Sequence, residues 1–136
     1  MTTSVTSEAK ALLTRWVERL ERNEDAQTQG CLNRTVGNNG YPAGMCCLGV
    51  LTEEVKEEAG LVAVGDDDRI GYKGPPGSVG EFVEYALLPR AVRELLGLTC
   101  IYVMYHGTRT SVARLNDCEG LTFPEIAALV REEYDL

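Results

Sequence analysis

The sequence has little histidine, a deficit of positive charge and no long apolar run. His106 is the single histidine, and 13 basic residues face 21 acidic ones, for a net charge of −8. Non-specific nucleic-acid binding draws on cationic surface, so this balance argues against it. No stretch approaches the roughly 20 apolar residues of a membrane helix. The start, Met-Thr-Thr-Ser-Val-Thr-Ser-Glu, has neither a basic nor an apolar segment, so no secretory leader is expected. The five cysteines are Cys31, Cys46, Cys47, Cys100 and Cys118, and none forms a Cys-x-x-Cys pair. Spacing therefore supports no zinc site. Lys73-Gly74-Pro75 is not a Gly-Lys-Ser/Thr phosphate loop, and its prolines remove amide donors. Neither a cofactor nor a metal is expected.

What is present is the composition of one globular domain. The chain has 136 residues, 44% of them hydrophobic and 25% charged, enough to bury a core without staples. An odd number of cysteines with no leader points to reduced thiols in a cytoplasm. The acids gather in Glu53–Glu58, Asp66–Asp68 and the Glu132–Asp135 tail.

Periodicity outlines the elements. Ala9, Leu12, Leu13, Trp16, Val17 and Leu20 recur at helical spacing, with Thr6 or Ser7 as cap and Asn23 as stop. Cys31–Val36 predicts a short strand, and Gly37-Asn38-Asn39-Gly40 a turn. Met45–Ala59 predicts a helix ending at Gly60, with Cys47, Leu48, Val50, Leu51, Val55 and Ala59 on its apolar face. Gly49 would let another backbone approach. Its crowded C-terminal glutamates oppose the macrodipole, so burial must hold this helix.

Leu61–Val64 predicts a strand. Residues 65–80 predict a flexible Gly/Pro-rich loop with a small hairpin around Arg69–Lys73. The glycines at 71, 74, 77 and 80 mimic a collagen period over too short a run for a triple helix. Asp66-Asp67-Asp68 reads as a solvated turn, because a calcium loop spaces its ligands. Phe82–Leu88 is ambiguous. Pro89–Leu96 predicts a helix stopped by Gly97, with Val92, Leu95 and Leu96 inward. Thr99–Tyr105 is the strongest strand. A short helix is expected over Thr110–Leu115, then a turn over Asn116–Gly120. The last helix opens with a Thr122/Glu125 capping box and buries Phe123, Ile126, Ala127, Val130 and Tyr134. The expected fold is α+β: about four helices around a short, mainly antiparallel sheet, with the Thr99–Tyr105 strand central.

Three chemistries can be written for these residues. A cysteine-dependent hydrolase would use Cys46 or Cys47 with His106 and Asn116 or Asp117. The helix N-terminus would lower the thiol pKa, and the chain order is nucleophile, base, orienter. With one histidine, however, any cysteine ahead of it gives that order. Free cysteine is also commonly a small buried hydrophobe. A nucleotide-signal sponge would need Arg34, Arg69, Arg109 and Arg114 to converge on phosphates. Thr122–Leu129 looks like the first helix of a helix-turn-helix, but no recognition helix follows.

Met45-Cys46-Cys47-Leu48-Gly49-Val50-Leu51, joined to Leu115-Asn116-Asp117 and Phe123-Pro124-Glu125-Ile126-Ala127, carries a resemblance. With Gln29-Gly30 and the Leu88-Pro89…Val92…Leu96-Gly97-Leu98 segment, the chain resembles a group of small bacteriophage proteins, especially those of actinobacteria. The resemblance covers most of the chain, with residues 62–82 as its variable part. Thr52 departs from the pattern, where such sequences often have another cysteine, and so does Leu95, where they often have tryptophan. His106 lies outside the motif positions. The resemblance implies a phage origin and no activity, and no catalytic residue carries over. It implies an accessory protein in the cytoplasm of the infected host, one that engages a host protein or a small signalling molecule without catalysis. Candidate binding residues are then Asn116, Asp117, Arg109 and Arg114. The competing reading of Asn116 and Asp117 is that they cap helices and close turns.

Overall fold

A computed structural model describes residues 2–37, 40–78 and 81–136. The first helical stripe builds α1 (Ser7–Arg22), where Ala9, Leu12, Leu13, Trp16, Val17 and Leu20 are all buried. The Thr6 hydroxyl accepts from the Ala9 N–H, and Asn23 ends the helix in the left-handed region. The Cys-Cys-Leu-Gly-Val-Leu run opens α2 (Cys47–Val55), which packs against α1. Only turns continue to Gly60, so the helix is shorter than its periodicity predicts. Its glutamates are answered from two sides: Arg15 of α1 pairs with Glu54 and Glu58 at 3.0 Å each, and Lys56, at the helix's own C-cap, with Glu53 at 2.6 Å.

Four short strands form one antiparallel sheet in the order β2-β1-β4-β3. They are β1 (Asn33–Arg34), β2 (Gly44–Met45), β3 (Val62–Asp66) and β4 (Arg69–Lys73). The expected loop over 65–80 is thus largely a hairpin. β3 and β4 pair from Val62↔Lys73 to Asp66↔Arg69 across the Asp67-Asp68 turn, with Asp67 at φ 48°. Asp66 pairs with Arg69 and Asp68 with Arg34. Val83 and Tyr85 cross Gly71 so closely that a Cβ there would lie 2.5 Å from Val83 Cγ1. Parts of the expected 37–40 turn and of the 65–80 loop, at 38–39 and 79–80, lie outside the described residues.

α3 (Arg90–Leu96) follows Pro89 and stops at Gly97, as its punctuation predicts, though Leu95 is only half-buried. The Thr99–Tyr105 strand is not central. Its extended part, β5 (Tyr102–Tyr105), pairs among the described residues only with β6 (Thr108–Ser111), in a separate two-stranded sheet. The physical reason is local. His106 and Gly107 take φ of 51° and 75°, the sense that closes a tight hairpin, and α5 (Phe123–Tyr134) packs against β5. α4 (Val112–Asp117) starts at Ser111 and includes Asn116 and Asp117, which the sequence assigned to a turn. The Thr122/Glu125 capping box is present at α5. The fold is α+β, with five helices among the described residues. Its core joins α1, α2 and α5 to residues of α3, α4, β4 and β5. No helix among the described residues is long and apolar enough to cross a membrane.

Candidate functional site

The Met45–Leu51 run and the Leu115–Asp117 segment come together at the start of α2. Asn116 is fully buried on α4. Its side-chain oxygen accepts from the Cys47 backbone N–H at 3.1 Å and from Gln27 Nε2 at 2.8 Å. Its amide nitrogen donates to the Thr28 carbonyl and to Asp117 Oδ1, both at 2.8 Å. All four hydrogen-bonding positions of the amide are therefore used. Asp117 also accepts from the Gly30 N–H at 3.2 Å, and Trp16 Nε1 donates to the Cys47 carbonyl at 2.9 Å. Gly49 faces the Leu32 backbone, where a Cβ would sit 1.8 Å from the carbonyl oxygen. Together these contacts lock the 26–32 segment against α2 and α4. As a surface binding residue Asn116 is corrected: it is out of solvent's reach and saturated by the protein itself. Asp117 is exposed, but its carboxylate ties down Gly30.

The thiols do not have the environment a nucleophile needs. Cys46 is buried and caps α2 by accepting from the Gly49 N–H. Burial pushes its thiol up to about 12, outweighing that N–H, and Asp117 adds to the rise. Cys47 is held well above the ordinary thiol value, by burial first and then by Cys46 and Asp117. Its sulfur donates to the Val112 carbonyl at 3.5 Å. The lowering expected from the helix N-terminus is thus reversed, because desolvating a thiolate outweighs a partial dipole. His106 sits on the exposed β5–β6 turn against the Tyr105 ring. Among the described residues no hydrogen bond links it to either thiol.

The arginines are committed in different places. Arg34 and Arg69 are cross-strand partners on β1 and β4. Arg34 pairs with Asp68 and donates to the Gln29 carbonyl, while Arg69 lies 4.0 Å over the Tyr85 ring. Arg114 pairs with Glu119, and Arg109 stacks on Tyr102 at 4.4 Å. Three of the four are already neutralised by carboxylates.

A different place is open. A cleft of about 230 Å³ lies between the start of α2, the 86–88 segment, α3 and the start of α4. Leu48, Leu88, Ile101 and Val112 supply buried apolar walls, and Leu87 stands 68% exposed at the edge. Arg93 and half-buried Cys100 also line it, and among the described residues no carboxylate does. Arg93 Nε donates to the Leu88 carbonyl at 3.2 Å, which fixes the guanidinium. Eight other arginines have a carboxylate partner; among the described residues Arg93 and Arg109 do not. Arg109 lines a second cavity, but there Glu133 is also in the wall. Among the described residues, Arg93 combines an apolar cleft with a charge that no carboxylate answers.

This cleft is not visible in the sequence. Arg93 sits on the predicted Pro89–Leu96 helix beside inward-facing Val92, and a cation bordering an apolar stripe was the available signal. That it lacks a counter-charge depends on chain segments far away in sequence. The role of Gln27 is not visible there either, since nothing local marks it as the partner of Asn116. No protein-family model, curated protein or solved structure matches the chain.

Proposed function

We propose that this chain is a phage accessory protein that acts by binding a host component in the host cytoplasm, without catalysis. The observation that carries the reading is the apolar cleft beside α2, with exposed Leu87 at its edge and, in its wall, Arg93, which has no carboxylate partner among the described residues. Binding sites are mostly apolar concavities with a few placed polar groups, and this cleft has that character. The buried, raised thiols of Cys46 and Cys47 favour binding over hydrolysis. The dispersed arginines favour an apolar ligand surface over a polyphosphate site. Phage origin rests on the Met45–Leu51 motif and its companions.

The test is affinity capture from host extract, with mass spectrometry reading both proteins and small molecules. Wild type is compared with Leu87→Asp, which places a charge on an exposed side chain and leaves the core untouched. A species retained by the wild type and released by Leu87→Asp supports the reading. Identical retention by both chains, or hydrolase activity abolished by Cys47→Ala, overturns it.

A further inference from the structure

The Arg93 cleft has a size and a charge that select one kind of ligand. Its volume of about 230 Å³ is below the 300 Å³ or more of sites for drug-sized molecules, so it suits a body of roughly ten non-hydrogen atoms. Leu48, Leu87, Leu88, Ile101 and Val112 offer that body no ionic partner. The one charged group in the wall is Arg93, held in place through Nε and free of any carboxylate at its other two nitrogens among the described residues. A half-buried cation in an apolar wall gains most from a planar anion, and a guanidinium grips a carboxylate through two parallel N–H bonds.

We infer that the cleft binds a small monocarboxylate with an apolar tail, its carboxylate on Arg93 and its tail between Leu48, Leu88, Ile101 and Val112. The inference rests on the binding-module reading and gives that site its ligand chemistry. The absence of acids from the lining, among the described residues, sets the preference: a cationic amphiphile of the same length finds the hydroxyls of Thr99 and Ser111 but no counter-charge, and Arg93 repels it. Cys100, in the same wall, reports occupancy because a seated tail shields its thiol.

Octanoate, octanol and octylammonium serve as probes of equal chain length, titrated by calorimetry into the full chain carrying Cys118→Ser. Octanoate is expected to bind with one-to-one stoichiometry, at least tenfold more tightly than octylammonium, and to slow alkylation of Cys100. Arg93→Gln should weaken octanoate about tenfold and leave octanol unchanged. Leu87→Asp, an exposed change that spares folding, should weaken octanoate more than octanol. Equal affinity for octanoate and octylammonium, octanoate binding indifferent to Arg93→Gln in a chain that melts like its parent, or no protection of Cys100 overturns the inference. Failure of all three probes also overturns it. The binding-module reading then still stands or falls on the capture comparison with Leu87→Asp, which uses no carboxylate probe.

Discussion

The side-chain oxygen of Asn116 accepts the backbone N–H of Cys47 at 3.1 Å, across 69 positions of sequence. That bond joins α4 to the first turn of α2, and the same amide holds Gln27, Thr28 and Asp117. Asn116→Ala leaves several buried polar groups without partners, each costing about 1–3 kcal/mol. The variant should lose about 3 kcal/mol or more, and roughly 10 °C in Tm. Asn116→Asp, of equal size, should fare no better, because it loses the donor to Thr28 and sets a second carboxylate beside Asp117. Thermal melts of both variants check this; a native-like Tm for either contradicts the structural role.

Gly49→Ala should destabilise, although the same change in an open helix stabilises by about 0.5–1 kcal/mol. The new Cβ would lie 1.8 Å from the Leu32 carbonyl oxygen. That carbonyl accepts from the Cys46 N–H at 3.2 Å, so it cannot turn away without breaking the bond. A loss of about 3 kcal/mol or more is expected in urea unfolding.

Thiol reactivity should follow burial rather than helix position. Brief alkylation of the native chain should modify exposed Cys118 first and half-buried Cys100 more slowly. Cys31, Cys46 and Cys47 should react only after unfolding. Peptide mapping by mass spectrometry reads the order, and rapid native labelling of Cys46 or Cys47 would count against their placement.

Stability should fall in acid partly through Glu53. Burial raises its pKa, but the hydrogen bonds from Lys56 and from the Tyr72 hydroxyl outweigh that and lower it. A carboxylate lowered on folding stabilises above its unfolded value of about 4.3. That contribution is lost as pH falls through the still lower folded value. Between pH 6 and pH 3 the urea midpoint of Glu53→Gln should fall less steeply than that of the wild type. Parallel profiles would remove Glu53 from the acid response.

The local elements were largely legible. The stripes of α1 and α5, the capping box at Thr122 and the Gly97 stop are set by neighbours within a few residues, so spacing and cap chemistry revealed them. The Gly49 close approach was legible too, although its partner at Leu32 was not. The centrality of the Thr99–Tyr105 strand was misread. Its β propensity is local, whereas its neighbours are chosen by the His106-Gly107 turn and by α5. For the thiols the sequence left two readings open, an activated nucleophile and a small buried hydrophobe, and packing decided for the second: a helix start is visible in sequence, but the desolvation that overrides it comes from packing.

By itself the sequence determined an acidic composition, the α+β class and the main helices, and it drew notice to the Cys46–Leu51 motif without assigning it a role. Tertiary structure alone decided what that motif does. Asn116, Gln27 and Cys47 are brought to one point by chain segments dozens of residues apart, and there they spend their polar atoms on each other. It also decided which arginine is left without a partner. Ion pairing in the folded chain answers the charge of Arg34, Arg69 and Arg114 and leaves Arg93 facing an apolar cleft, because among the described residues no acid from another segment reaches that wall.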